Sequence, residues 1–150
     1  MSNRKDPVIV KQDFEAPAQV VWAAITDPTK MNRWFFKNIA AFEAREGFET
    51  SFDVEADGLL FTHQWRILEV STGRSVKYHW SYAQFPGVGY VTFEVIPRNT
   101  GSSLKLTNEG LDSFPEDISA FSRENCEGGW DFFIRQNLAA FVAGKAVSPY

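Results

Sequence analysis

The chain is of ordinary size and composition and carries a net negative charge. It has 150 residues, 44% of them hydrophobic and 23% charged, with a formal net charge of −4 at pH 7. Lysine and arginine are scattered along it, so neither a nucleic-acid-binding surface nor a polybasic membrane segment is indicated. No apolar stretch approaches the roughly 18 residues that span a bilayer. A single cysteine, Cys126, excludes an intrachain disulfide.

These features predict one domain over residues 1–150, with its core between about residues 8 and 143. No internal repeat, low-complexity tract or linker divides the chain. The first seven residues lack the apolar run of a secretory signal, so we expect a cytoplasmic protein. Aromatic residues are abundant at 15% of the chain, which predicts either an aromatic core or a space lined by rings.

The N-terminal third predicts one strand and two short helices. Residues 8–15 are rich in strand-forming side chains. Pro17 stands where helices often begin, and Asp27-Pro28 ends that first helix because the residue before proline disfavours the α conformation. A second short helix is predicted over residues 29–36, ending in the aromatic cluster Trp34-Phe35-Phe36.

The middle of the chain predicts an antiparallel succession of strands. Apolar residues alternate with polar ones from Phe48 to Glu55, and Asp57-Gly58 is a strong hairpin signal. Further turns are predicted at Thr72-Gly73 and at Asn99-Thr100-Gly101. The predicted strands lie at about residues 39–45, 48–55, 59–67, 76–82, 91–95 and 104–107.

The C-terminal part changes to helical spacing. Apolar residues from Trp130 to Val142 recur at the intervals of one helix face, and Gly144 is a natural stop. We expect the helix to begin near Ser119, with Gly128-Gly129 permitting a bend or the close approach of a neighbour. One helix is only about 10–12 Å wide, so it leaves space above a curled sheet of some seven strands.

Short segments in this order resemble a known family. They are residues 14–28 (FEAPAQVVWAAITDP), Trp34-Phe35, residues 67–70, Tyr78-His79-Trp80, residues 101–110, Gly129-Trp130 and Leu138. The chain resembles, from about residue 8 to residue 141, the START-related, birch-pollen-allergen-like (SRPBCC) superfamily. Within it, the chain is similar to the subfamily of the C-terminal domain of the activator of the heat-shock-protein-ninety ATPase.

The resemblance implies an α+β helix-grip fold. In it, a seven-stranded antiparallel curled sheet, two short helices and one long C-terminal helix enclose a cavity. Two positions depart from the family pattern, since Trp65 stands near a frequent glycine and Asn108 stands where histidine is frequent. No part of this sequence corresponds to the N-terminal domain that contributes heavily to chaperone binding by the activator, so the chaperone function is not carried over.

Few residues suggest catalysis or metal binding. His63 lies between Phe61 and Trp65 on the apolar face, where it is a candidate ligand contact or general base, whereas His79 falls on the polar face. The acidic neighbours of Cys126 oppose thiolate formation, so a buried or idle thiol is expected. Two histidines on opposite faces do not predict a zinc site. We expect no metal, no cofactor and no catalytic residue.

The leading hypothesis is that a small apolar or aromatic molecule binds between the sheet and the C-terminal helix. The alternatives are a cavity-based enzyme of the cyclase, dehydratase or hydrolase type, and a chaperone or other protein-interaction module. We expect a monomer or homodimer, with no nucleic-acid partner and no membrane insertion. The predicted ligand-binding residues are Trp34, Phe52, Phe61, His63, Trp65, Tyr78, Trp80, Tyr82, Phe93, Asn108, Asn125, Trp130 and Phe133.

Overall fold

A computed structural model describes residues 4–150 and has an α+β architecture, as predicted. Strand β1 (Val8–Phe14) precedes two short helices, α1 (Ala18–Thr26) and α2 (Pro28–Trp34). The remaining strands follow in succession: β2 (Glu49–Ala56), β3 (Leu59–Ser71), β4 (Ser75–Tyr82), β5 (Phe85–Arg98) and β6 (Gly101–Glu109). They form a six-stranded antiparallel sheet in the order β1-β6-β5-β4-β3-β2.

A continuous helix follows the sheet at the C-terminal end. Two single 3₁₀ turns (Leu111–Ser113 and Ser119–Phe121) lead into α3 (Arg123–Trp130). The helix continues as a π-helical segment (Asp131–Leu138) and ends as α4 (Ala139–Val142). Residues 123–142 are referred to below as the C-terminal helix. None of the helices within residues 4–150 is long and apolar enough to cross a membrane.

The sheet has six strands and not the expected seven, because residues 39–45 do not form a strand. The side-chain amide of Asn32 donates to the Ile39 carbonyl oxygen at 2.9 Å, and its oxygen accepts from the Ile39 N–H at 2.8 Å. These bonds satisfy the backbone N–H and C=O of Ile39 without a neighbouring strand. Ile39 and Phe42 are both buried, and the Phe42 ring stacks on Tyr78 with centroids 5.7 Å apart. The segment therefore fills the core and adds no strand to the sheet.

The predicted breaks between elements are present where local chemistry dictates them. Asp27 ends α1 and also caps α2, since its carboxylate accepts from the Thr29 N–H at 3.0 Å. Asp57 and Gly58 both have positive φ, at 53° and 76°, as a tight hairpin between β2 and β3 requires. The C-terminal helix ends before Gly144, whose φ is 80°.

The C-terminal helix differs from its prediction in two respects. It begins at Arg123 and not near Ser119, because the Ser122 hydroxyl accepts from the Asn125 N–H at 3.1 Å and caps it. The helix passes through Gly128 and Gly129 without interruption. A Cβ atom on either glycine would meet nothing within 4 Å, so of the two expected roles, a bend or the close approach of a neighbour, the second is wrong.

Candidate functional site

The space between the sheet and the C-terminal helix has one end packed solid with aromatic rings. Trp34 and Phe35 are stacked with centroids 4.7 Å apart, and the Trp34 indole N–H donates to the Ala24 carbonyl oxygen at 2.8 Å. Trp65 stands edge-on to Tyr78 at 5.0 Å. This part of the space, termed the filled end, is built from Trp34, Phe35, Phe42, Phe52, Trp65, Tyr78 and Phe93.

The other part of the space, termed the hollow end, contains a cavity of two adjoining lobes. The closed lobe is the more enclosed and has a volume of about 190 Å³, whereas the open lobe has about 390 Å³. The closed lobe alone is lined by Gly89, Val91, Asn108, Leu111, Phe114, Cys126 and Trp130, together with Trp80. The open lobe alone is lined by Val54, Ala56, Phe61, Phe132 and Tyr150.

A third group of residues lines both lobes and is termed the neck. It consists of Phe36, His63, Tyr82, Ala120, Phe121, Gly129 and Phe133. The rings of Phe36 and His63 lie 4.9 Å apart, and those of His63 and Tyr82 lie 4.8 Å apart. Strands β3 and β4, helix α3 and the 3₁₀ turn at 119–121 therefore meet at the boundary between the two lobes.

The closed lobe is covered by residues 110–121, termed the covering segment. Phe114 and Phe121 stack with centroids 4.9 Å apart and form a second buried cluster with Phe61. Gly87 makes this packing possible, since a Cβ there would lie 2.7 Å from both the Phe114 ring and the Ser113 carbonyl oxygen. The backbone of β5 therefore supports the covering segment directly.

Arg4, near the N-terminus, holds the covering segment in place through hydrogen bonds. Its guanidinium donates to the carbonyl oxygens of Leu111 and Phe114 at 2.6 and 2.7 Å. Ser113 adds a second contact, because its hydroxyl oxygen accepts from the Val88 N–H at 2.9 Å, and its single O–H lies within hydrogen-bond distance of the carbonyl oxygens of Val88 and Gly110. The side chains of Leu111 and Phe114 are thus held over the closed lobe.

Tyr150 reaches the open lobe because its backbone is tied to residues 35–37. Its N–H donates to the Phe35 carbonyl oxygen at 2.9 Å, and its carbonyl oxygen accepts from the Lys37 N–H at 3.2 Å. Buried Asn137, in the π-helical segment, donates to the carbonyl oxygens of Trp34 and Ser148 at 3.1 and 2.9 Å. The last residues therefore pack along the open lobe. The ring centroids of Tyr150 and Phe36 lie 6.4 Å apart.

His63 is a neutral group in the neck. Its side chain is 94% buried, and burial lowers the pKa of its imidazole to about 4. Nδ1 lies 3.1 Å from the Phe61 carbonyl oxygen, which can only accept, so Nδ1 carries the proton. Nε2 is then a free acceptor, with no partner among residues 4–150.

Two further polar groups face the cavity. The Tyr82 hydroxyl oxygen accepts from the Trp80 indole N–H at 2.9 Å, which leaves the Tyr82 O–H available as a donor. Burial raises the pKa of that hydroxyl well above its usual range. Asn108 is 92% buried, and its side-chain amide has no hydrogen bond within the described chain. One acceptor, one donor and one amide thus line a mostly aromatic space.

Cys126 also lines the closed lobe but is not an activated nucleophile. Burial raises the pKa of its thiol to about 11, and its sulfur lies 3.8 Å from the Ala120 carbonyl oxygen. Within residues 4–150 no three His, Cys, Asp or Glu side chains are placed to hold a metal ion.

The structure separates the predicted ligand-binding residues into three groups. Phe61, His63, Trp80, Tyr82, Asn108, Trp130 and Phe133 line the cavity. Trp34, Phe52, Trp65, Tyr78 and Phe93 do not, because neighbouring rings fill the space around them. Asn125 is exposed, and its amide donates to the Ser119 carbonyl oxygen at 2.6 Å, so its predicted position inside the gap is wrong.

The sequence prediction missed the covering segment and the end of the chain. Leu111 and Phe114 lie in a stretch with no strand or helix periodicity, Phe121 lies at the start of the expected helix but outside its apolar stripe, and Tyr150 lies beyond the last helix. The available signal was the spacing of large apolar residues within an otherwise polar connection. Phe36 was noted only as part of an aromatic cluster, yet it lines both lobes.

Comparisons with known proteins agree with this architecture. The family model described as "Activator of Hsp90 ATPase homolog 1-like protein" matches residues 15–143. The solved structure of protein CV1439 from Chromobacterium violaceum is 25% identical, with a TM-score of 0.76, and the match covers 91% of this chain and 96% of that one. No curated protein matches.

Two other solved structures share the fold at lower identity. MLL2253 from Mesorhizobium loti is 24% identical over 94% of this chain and 99% of its own, with a TM-score of 0.70. DynU16, described as a protein in the dynemicin biosynthetic locus, is 21% identical with a TM-score of 0.73. That match covers 97% of this chain but 51% of DynU16, so this chain spans about half its length.

Proposed function

The chain belongs to the family of activator of Hsp90 ATPase homolog 1-like proteins, and we propose that it binds a small, uncharged, mostly apolar molecule in the cavity at its hollow end. The observation that carries this proposal is the state of His63 and Asn108. Both are more than nine-tenths buried, both line the closed lobe, and each has polar atoms without a protein partner. These polar atoms border the cavity and are not fully enclosed by protein, so each hydrogen bond that a ligand makes to them would contribute about 0.5–1.5 kcal/mol.

The electrostatics of the lining favour an uncharged ligand. The pKa of His63 is lowered to about 4 and that of Cys126 is raised to about 11, so both groups are neutral near pH 7. Tyr82 is also neutral there, since burial raises its pKa. A charged ligand would lose its hydration without an oppositely charged side chain in the lining, at a cost of several kcal/mol.

The shape and chemistry of the lining favour a flat molecule with a few polar atoms. The indole rings of Trp80 and Trp130 line the closed lobe and can stack against a flat ligand. Burial of the ligand's apolar surface contributes roughly 25 cal/mol per Å² before the costs of association. Nε2 of His63 would accept a hydrogen bond from a ligand hydroxyl, and the Tyr82 hydroxyl would donate one to a ligand oxygen.

The same chemistry supports binding over acid–base catalysis. A general base works best with a pKa near the operating pH, and burial moves His63 and Cys126 away from neutrality in opposite directions. His63 does share the closed lobe with a second titratable group, Cys126, but neither is tuned to exchange a proton at pH 7. The proposed role is therefore recognition of a ligand.

A matched pair of probes tests the proposal. We expect 2-naphthol to quench the fluorescence of Trp80 and Trp130 saturably, and 2-naphthoate, its anionic counterpart, to bind at least tenfold more weakly. Replacing Asn108→Leu should weaken 2-naphthol binding severalfold. His79→Gln, on the outer face of β4, should leave binding unchanged and serves as the control.

Two results would contradict the proposal. One is a wild-type protein that shows no saturable response to 2-naphthol or to a panel of flavonoids, sterols and neutral lipids. The other is equal affinity for 2-naphthol and 2-naphthoate, which would mean that the neutral lining does not select against charge.

A further inference from the structure

We propose that the cavity takes an elongated ligand, with a ring-sized polar head in the closed lobe and an apolar body in the open lobe. We further propose that Gly129 determines the width of the ligand where it passes between the lobes. This inference rests on the proposed function and goes beyond it, because it gives the ligand a length, an orientation and a residue that limits its thickness.

The volumes indicate a ligand that occupies both lobes. An apolar cavity of roughly 150 Å³ binds benzene, so the closed lobe, at about 190 Å³, holds about one ring. Ligand pockets usually measure about 300–1,000 Å³, which the closed lobe alone does not reach. The open lobe, at about 390 Å³, adds the space that a larger molecule needs.

The chemistry of the two lobes sets the orientation. Asn108 and Cys126 line only the closed lobe, and His63 and Tyr82 stand at its entrance in the neck. The residues that line only the open lobe are apolar, apart from the hydroxyl of Tyr150. The hydrogen-bonding end of a ligand is therefore satisfied in the closed lobe, and its apolar end in the open lobe.

Gly129 keeps the neck open. Five of the seven neck residues carry rings, namely Phe36, His63, Tyr82, Phe121 and Phe133, and the two small ones are Ala120 and Gly129. A glycine inside a helix is unfavourable relative to alanine, and here no neighbour demands one, since a Cβ at position 129 meets nothing within 4 Å. A larger side chain at this position would enter the space that joins the lobes.

Three probes separate the head from the body of the ligand. Phenol supplies a head alone, pentylbenzene supplies a ring and chain without the hydroxyl, and 4-pentylphenol supplies both. For the wild-type protein we expect 4-pentylphenol to bind at least tenfold more tightly than phenol, because its chain lies in the open lobe. We expect it to bind about fivefold more tightly than pentylbenzene, because the hydroxyl meets the polar groups of the closed lobe. Affinities would be measured by tryptophan fluorescence and by protein NMR shifts.

Adjacent glycines supply a matched pair of variants. Gly129→Leu should weaken 4-pentylphenol binding at least tenfold while changing phenol binding less than threefold. Gly128→Leu places the same side chain on the exposed side of the same helix and should leave all three affinities unchanged. If Gly129→Leu does not fold, Gly129→Ala and Ala120→Leu narrow the neck from its two sides, and each should weaken 4-pentylphenol binding more than phenol binding.

The outcomes distinguish this inference from the proposed function. If the wild-type protein binds none of the three probes and no neutral compound of the panel, both proposals fail. If it binds 4-pentylphenol but Gly129→Leu and Gly129→Ala bind it equally well, only the role of Gly129 and the elongated ligand are overturned. If Gly129→Leu weakened the binding of phenol and of 4-pentylphenol equally, the role of Gly129 and the elongated ligand would also be overturned. That result would indicate one undivided cavity.

Discussion

The filled end and the hollow end are both built largely from aromatic rings, yet only one of them contains a cavity. At the filled end, Phe35 lies within 6.4 Å of seven other ring centroids and is fully buried. At the hollow end, rings such as Trp80 and Phe133 have protein on one side and the cavity on the other. Aromatic content therefore does not determine whether a space under the helix is open.

The two ends differ in the side chains that segments outside the sheet place over them. Residues 35–48 supply Phe35 and Phe42 to the filled end, and Trp65 adds an indole there where the resembled family often has glycine. The hollow end is covered by the thin covering segment and by a helix turn that carries Gly129. Large side chains close the first space, and small residues leave the second open.

The largest expected effect is a loss of stability that differs between two phenylalanines, one at each end. Phe35→Ala should lower the free energy of unfolding by about 3–5 kcal/mol, because it removes a ring from dense packing. Phe133→Ala should lower the free energy of unfolding by less, since the Phe133 ring already borders the cavity. Urea denaturation of both variants checks the comparison. An equal loss in the two variants would mean that the hollow end is as tightly packed as the filled end.

The next effect is a pH dependence of the free energy of unfolding, which originates from His63 in the neck. His63 has a pKa of about 4 in the folded protein and about 6.5 when unfolded. Between these values the unfolded chain binds the extra proton, so stability is complete above pH 6.5 and falls as the pH drops towards 4. The expected loss is roughly 3 kcal/mol.

Two variants isolate the contribution of His63. The drop between pH 6.5 and pH 4 should shrink in His63→Gln when unfolding is measured at several pH values. His79→Gln is the comparison on the outer face, where partial burial and the charge of Arg66 also lower the imidazole pKa, and it should shrink the drop less than His63→Gln does. A wild-type profile that His63→Gln leaves unchanged would show that the imidazole is not buried as described.

The smallest expected effect compares two tyrosine hydroxyls. That of Tyr78, at the filled end, is buried without a partner among residues 4–150, whereas that of Tyr82 accepts from Trp80. Tyr78→Phe should therefore raise the free energy of unfolding by about 1 kcal/mol, and Tyr82→Phe should lower it by a similar amount. Thermal unfolding of both variants tests the contrast, and a loss of stability in Tyr78→Phe would reveal an unrecognised partner of its hydroxyl.

Local patterns in the sequence predicted most of the fold. The alternation from Phe48 to Glu55 and the Asp57-Gly58 turn predicted the β2–β3 hairpin, because side-chain period and positive φ are local properties. Residues 39–45 were wrongly predicted as a strand. The backbone of Ile39, at the start of this segment, pairs with the Asn32 side chain, a contact that no pattern within the segment reveals.

The candidate site was predictable only in part. The strand period correctly put His63, Trp80 and Tyr82 on the face that the helix covers. It could not separate them from Trp65 and Tyr78, which lie on the same face but in the filled end. The prediction for Asn125 was wrong, since this residue lies exposed in the first turn of the C-terminal helix and its amide donates to the Ser119 carbonyl oxygen.

The sequence by itself determined the order of the elements, the apolar face of the sheet and the aromatic helix stripe above it, since each follows from local periodicity. Only the tertiary structure decided which part of the gap stays open. That outcome depends on side chains from distant segments, such as Phe42 filling one end and Gly129 leaving space at the other. Packing density is a property of all the residues that meet at a point, and no single stretch of chain contains them.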